Sequence, residues 1–299
     1  MEIILFFAGL RFLVRSERNL NVTPVLQGFI DSIGADAEVS VRITWNWDRL
    51  SLDNLSFLGE DLLCRYYRQK EKLLCLFKGN TKGPLGCALY GPDCIDIDCY
   101  INERPFLFPP DDLGSILHVL PMRAIFQRFG VLFLHASQIS YRGRGIIFTA
   151  PSGTGKTTQA RLWQKARGAE IICNDRTLLR KMEDRWLTFG YPIDGSEPVR
   201  SNQVNELGAV VLLAQGPENQ IRRLHPGKAA GLLMGQVVMD SWNVDARTAA
   251  MDRLLSLLAD IPVYLQTCTP DEYAVDTLET TLIKDEVISF GPDCKTPLA

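Results

Sequence analysis

Apolar and polar residues alternate with a period of two along the first third of the chain, the mark of half-buried strands. Val39, Val41, Ile43 and Trp45 alternate with polar neighbours over residues 38–45, and Ile95, Ile97, Cys99 and Ile101 do so over residues 94–101. Asp96 and Asp98 fall on the opposite face of that second run; a metal could use them, but a solvated sheet face is the simpler expectation. Residues 3–7 and 10–14 flank Ala8-Gly9 as a hairpin, and residues 62–67 and 73–77 flank a polar turn over residues 68–72. Residues 1–110 therefore read as a smaller, strand-rich N-terminal domain, punctuated at its end by Pro105, Pro109 and Pro110.

From residue 111 the period changes. Asp111 and Asp112 can cap a helix over residues 113–128, with Leu113, Ile116, Leu117, Leu120, Ile125 and Phe126 on its apolar stripe, a bend at Pro121 and a stop at Gly130. Apolar runs at residues 131–137, 145–149, 169–175, 186–190, 207–213 and 262–266 read as strands. Helices are expected over residues 159–166, from residue 227, over residues 246–260 through Ala249, Leu254, Leu255 and Leu258, and over residues 271–283. Strands alternating with helices define an α/β domain over residues 111–299, ending in a short C-terminal tail from Phe290.

Composition narrows this picture. Of the 299 residues 46% are hydrophobic, enough for real cores, and the formal net charge of -3 gives no basic field for nucleic acid. No apolar run approaches the about 18 residues of a membrane span. The apolar N-terminus carries Glu2 where a secretory signal would be basic, so it reads as a first strand. Eight cysteines without close pairs suit buried free thiols in a reducing cytoplasm better than a zinc site or a disulfide framework. The chain is thus expected to be cytoplasmic, with no nucleic-acid or membrane partner.

The chemistry concentrates in Ala150-Pro-Ser-Gly-Thr-Gly-Lys-Thr-Thr158, between an apolar run and a helical one. Strand, glycine-rich loop, Lys-Thr and helix make up a Walker A phosphate loop. Ser152, Gly153, Thr154, Gly155 and Thr158 can turn backbone N–H groups toward phosphate oxygens, and the following helix adds its positive end. Lys156 supplies a point charge for the outer phosphates, and the Thr157 hydroxyl is suited to Mg²⁺. Ala150 stands where the motif usually begins with glycine, a mild change because the inner glycines do most of the cradling. The next apolar run ends in Asn174-Asp175, and a strand-end acid is the usual partner of the metal. His135, one hairpin upstream, and Asp194, in the loop Gly190-Tyr-Pro-Ile-Asp-Gly-Ser196, complete the candidate catalytic set with Lys156 and Asp175.

Leu134-His-Ala-Ser137, the phosphate loop, Asn174-Asp175, Gly190-Tyr-Pro and Gly195-Ser196 occur in this order. Over residues 113–285 this resembles the HPr serine kinase/phosphorylase family, whose P-loop fold is shared with phosphoenolpyruvate carboxykinase. It looks nearest to the small bacterial members associated with peptide modification, lasso-peptide kinases among them. The resemblance implies ATP phosphates at residues 152–158, Mg²⁺ at Thr157 and Asp175, His135 near the phosphates, and a peptide or small-protein acceptor. Assembly into a homo-oligomer stays open.

One departure bears on mechanism. Relatives carry two consecutive acids at this strand end, the first acting as base toward the acceptor hydroxyl. Here that position is Asn174, whose amide accepts no proton at neutral pH. Asp175 does both jobs, or another acid such as Asp194 reaches in, or the enzyme is weak or altered. The Gly190–Ser196 loop also differs from the Pro-Trp-Ser-Gly-Ser type of the small relatives, which bears on the acceptor. The leading expectation is an ATP- and Mg-dependent kinase moving a γ-phosphoryl group to a serine hydroxyl. A non-catalytic nucleotide-binding scaffold of the same fold is the alternative. Carboxykinase chemistry is a weaker third, since carboxykinases of this fold are much longer and their substrate-binding arginines have no counterparts here.

Overall fold

The computed structural model describes residues 1–32, 36–79, 83–103, 111–193 and 201–289. Contacts divide the chain into two units. The first comprises Met1–Phe129 with Met239–Arg247, the second Gly130–Val238 with Thr248–Ala299.

The first unit holds β1 (Glu2–Phe7), β2 (Leu10–Ser16), α1 (Pro24–Gln27), β3 (Val39–Thr44), β4 (Ser56–Glu60), β5 (Cys64–Gln69), β6 (Lys72–Phe77), β7 (Gly86–Tyr90), β8 (Asp96–Ile101), α2 (Leu113–Leu117) and α3 (Met122–Arg128). Its strands form one sheet in the order β1-β2-β3-β8-β7-β6-β5-β4. Ala8 and Gly9 both take positive φ, 56° and 65°, the backbone of a two-residue hairpin turn whose twist matches its strands. Phe12, Val14, Val39, Val41, Ile97, Cys99 and Ile101 line the buried face, and Phe7 stacks on Phe12 with ring centroids 4.4 Å apart. On the other face Asp98 accepts from Arg42 at 3.2 Å and Lys72 at 3.4 Å, so it is part of a charged sheet surface. Ile95 departs from the expected alternation and is 44% exposed: Cys94 has φ 55°, and the strand begins only at Asp96.

The single helix expected over residues 113–128 is two. Asp112 caps α2 by accepting from the Ser115 N–H at 2.7 Å, and Pro121, which has no N–H to donate, separates α2 from α3. Pro105, Pro109 and Pro110 lie outside the described residues. A boundary at residue 110 would leave α2 and α3 with the second unit, whereas the contacts group them with the first. Asn21 N–H donates to Asp111 and Leu113 N–H to Asn21, and Phe126 meets the Phe7 ring edge-on at 6.3 Å.

The second unit contains β9 (Val131–Tyr141), β10 (Arg144–Thr149), α4 (Lys156–Arg167), β11 (Glu170–Cys173), β12 (Arg176–Met182), β13 (Arg185–Phe189), β14 (Val204–Gln215), β15 (Gln220–Arg223), α5 (Pro226–Met234), α6 (Val244–Asp260, from Thr248 on), β16 (Val263–Cys268) and α7 (Glu272–Lys284). β10 lies between antiparallel β9 and parallel β14, and β14 continues to parallel β16. β12 and β13 connect β9 back to β14, so β10-β9-β12-β13-β14 closes a circuit of pairings. Ile146 and Phe148 pack with Ala160 and Trp163 of α4 and with Val275, Leu278 and Leu282 of α7. Ile147 points to the opposite core, shared with Leu233 of α5 and Leu254, Leu257 and Leu258 of α6. Leu255, expected on the apolar stripe, is 49% exposed. Neither β12 nor β15 was expected: Arg176, Arg180 and Lys181 dilute the first, and the second is four largely polar residues. Among the described residues the cysteines are free, and no helix is long and apolar enough to cross a membrane.

Candidate functional site

The loop from Ala150 to Gly155 leaves the C-terminal end of β10 and runs into α4. Gly153 and Gly155 have φ 78° and 114°, a region closed to most side chains, and no atom lies within 4 Å of where a Cβ would stand on either. Gly155 occupies the cap position of α4, which has no capping side chain and no acid in its first turn. The first N–H groups of a twelve-residue helix therefore have no capping side chain and no acid beside them, the arrangement that attracts anions. Ser152 and Thr158 are exposed, and Thr154 and Thr157 are half-buried beside the mouth.

Lys156 is 7% exposed and donates its Nζ protons to the carbonyls of Ala150 at 2.9 Å and Pro151 at 3.3 Å. Burial pushes its pKa down, and the charge of Asp175 pulls in the opposite direction. Asp175 lies in the link between β11 and β12. Its Oδ1 is 3.2 Å from His135 Nε2 and its Oδ2 3.4 Å from Arg176 Nε. The His135 hydrogen bond holds the carboxyl below the usual range, against burial and with help from Arg176 and Lys156. His135, Asp175 and Lys156 thus share one neighbourhood at the ends of adjacent elements. Asn174 is 7% exposed. Asp194, with Gly195 and Ser196, lies outside the described residues. Gly190 is a close approach: a Cβ there would stand 1.8 Å from the Ser201 carbonyl oxygen.

Arg176 and Gln215 are among the contacts to this site that were not read from the sequence. Arg176 follows Asp175 directly and could have been suspected from that adjacency. Gln215, at the end of β14, reaches the Gly153 carbonyl with Nε2 at 3.4 Å, and nothing in the sequence marks it.

The open glycine cradle, the lysine and the helix end suit a polyphosphate. One carboxylate and one hydroxyl suit Mg²⁺, which keeps waters and phosphate oxygens for the rest of its shell. Among the described residues no group of three or more His, Cys, Asp or Glu side chains could hold a metal by itself.

The fold is that of a mixed α/β protein with two sheets and a strand–glycine loop–helix turn in its second unit. The family described as SynChlorMet cassette protein ScmC matches residues 113–281, more than half of the chain, and the chain belongs to it. No curated protein matches. Among solved structures the chain is similar to the Hpr(Ser) kinase/phosphatase from Coxiella burnetii, with 13% identity over 52% of this chain and 98% of that one and a TM-score of 0.32.

Proposed function

We propose that the chain is an ATP- and Mg-dependent kinase that moves the γ-phosphoryl group to a hydroxyl, a serine of a peptide or small protein. The observation that carries this reading is the cradle at Gly153 and Gly155, with Lys156 at its base and Asp175 beside it. Phosphoryl transfer asks chiefly for positioning and charge neutralisation. The helix end and the loop N–H groups hold the phosphates, and Lys156 exchanges its carbonyl partners for phosphate oxygens. Thr157 and Asp175 would hold Mg²⁺, which supplies further charge neutralisation when bound. The acceptor oxygen forms a bond to the γ-phosphorus as the bond to the β-phosphate oxygen breaks. The hydroxyl proton leaves to a carboxylate, that of Asp175 or of Asp194, because the Asn174 amide accepts none.

Burial pushes the thiols of Cys87, Cys94 and Cys173 up to about 12, which leaves them protonated and unreactive at neutral pH. The family is one of cassette proteins, so acceptors are sought first among peptides encoded with this chain. Incubation with labelled ATP, Mg²⁺ and such peptides should give a phosphoserine product. Asn174 favours one second reading, a nucleotide-binding scaffold that performs no transfer. Tight MgATP binding with no turnover in the presence of the acceptor peptides would select it, and no nucleotide binding at all would overturn both readings.

A further inference from the structure

We infer that Ser137 and Thr149, two hydroxyls with no exposed surface, are positioning residues that set the acid corner against the phosphate loop. The inference rests on the nucleotide-site reading above and assigns roles that reading does not contain.

The His-Ala-Ser run of β9 touches the Asn174–Asp175 corner once per residue. His135 Nε2 reaches the Asp175 carboxylate at 3.2 Å. The Ala136 N–H donates to the Asp175 carbonyl at 3.0 Å. Ser137 Oγ donates to the Asn174 carbonyl at 2.9 Å. The other edge of the same run pairs with β10, the strand that leads into the phosphate loop. Ala136 is paired with Thr149 and Ser137 with Phe148, the last residues of β10 before Ala150. Thr149 Oγ1 then donates to the His135 carbonyl at 2.9 Å. These three residues therefore form a strut, with the phosphate loop on one side and the acid corner on the other. Ordinary ladder pairing aligns the strands, and the two hydroxyls add bonds at the points where the ladder ends.

The strut is also braced from within. Gln138, fully buried, donates from Nε2 to Thr188 Oγ1 at 2.7 Å and accepts from Thr177 Oγ1 on β12. A buried hydroxyl with a good partner is costly to unpair, so these bonds resist sliding of β9 against the corner. Removing one leaves the strands in place and frees the carbonyl that precedes or supports the acid. Outer contacts of this kind typically govern metal affinity by about 10–100-fold.

The test is calorimetric titration with a non-hydrolysable ATP analogue, with and without Mg²⁺, on the wild type and on Ser137→Ala, Ser137→Thr, Thr149→Val and Thr149→Ser. The Mg²⁺-dependent gain in affinity should fall about tenfold in Ser137→Ala and Thr149→Val. Metal-free affinity should stay at the wild-type value, and the two hydroxyl-retaining variants should recover the gain. A purely structural role would lower thermal stability and metal-free affinity together and leave the gain intact, which overturns the inference. So does an unchanged gain in whichever of the alanine and valine variants folds. A wild type that binds no nucleotide overturns the nucleotide reading itself, and one that binds without any Mg²⁺ gain overturns the metal assignment and this inference with it.

Discussion

Lys156 spends its charge on two carbonyls of its own loop while buried to 7% exposure. An ammonium in that position is desolvated without a full counter-charge, which is why its pKa is depressed. Phosphate oxygens would relieve that deficit. Lys156→Ala should therefore abolish nucleotide binding and leave the far-ultraviolet dichroism unchanged; unchanged affinity in a calorimeter would place the lysine outside the site. Asn174 poses the opposite question. Asn174→Asp would put a second carboxylate at a position of 7% exposure, where burial raises a carboxyl pKa toward the range of a useful base. A well-placed base gives about 10²–10⁴-fold. On the kinase reading the cost would be negative charge near a bound triphosphate, partly screened by Lys156 and Mg²⁺. The gain outweighs a screened repulsion, so faster single-turnover transfer with weaker ATP binding is expected. A wild type that transfers well and a variant that transfers worse would make the amide part of the mechanism.

Elements differ in how far local pattern determines them. The β1–β2 hairpin, β3 and the strand-loop-helix turn at Gly153–Gly155 were legible because alternation, turn residues and glycine spacing act within a few residues. β12 was not, because its charged residues sit in a strand that tertiary pairing with β9 and β13 supports from both edges. Leu255 shows the same limit inside a helix: spacing alone allowed Leu254–Leu255, whereas the packed face runs through Leu254, Leu257 and Leu258. Within the candidate site, His135, Lys156 and Asp175 were named from sequence, but Thr149 and Gln215 act through backbone carbonyls and carry no signature. Helix termination gives an element-scale prediction. Gly168 ends α4 with φ 66° and open space where a Cβ would stand. Gly168→Ala meets no clash, so its cost is the left-handed backbone alone, about 1 kcal/mol. Thermal unfolding should show that loss with nucleotide affinity unchanged; a much larger loss would mean that more than the helix end depends on this residue.

At the scale of the whole chain, the first unit is discontinuous, and the charges of a buried or half-buried cluster within it come from places far apart in sequence. Arg123 on α3 pairs with Asp61 and lies 3.5 Å from Asp240, a residue of the returning segment Met239–Arg247. Tyr66 donates to Asp61 at 3.0 Å, and its ring lies tilted against Trp242 of that segment with centroids 5.0 Å apart. No local pattern announces a partnership between residues 61 and 240. The two acids share one arginine yet shift in opposite directions. Burial raises the Asp240 carboxyl, with Asp61 adding to it and Arg123 and Tyr66 opposing without cancelling it. Burial also acts to raise Asp61, but the Arg123 hydrogen bond and charge, with the Cys64 and Leu63 N–H groups, outweigh it and the net shift is downward. For Asp240 the favourable contribution is present below the unfolded value, about 3.9, and is lost as pH rises through the higher folded value. For Asp61 it is present above about 3.9 and lost as pH falls through the lower folded value. Asp240→Asn and Asp61→Asn keep a hydrogen-bonding side chain of the same size and cannot titrate. Urea unfolding across acid and neutral pH should therefore give difference curves of opposite slope. The stability of Asp240→Asn relative to wild type should improve as pH rises above about 4 and then level off, while that of Asp61→Asn should worsen as pH rises toward about 4 and then level off. Two curves that run parallel would show that the acids titrate as one unit and that Arg123 does not distinguish them.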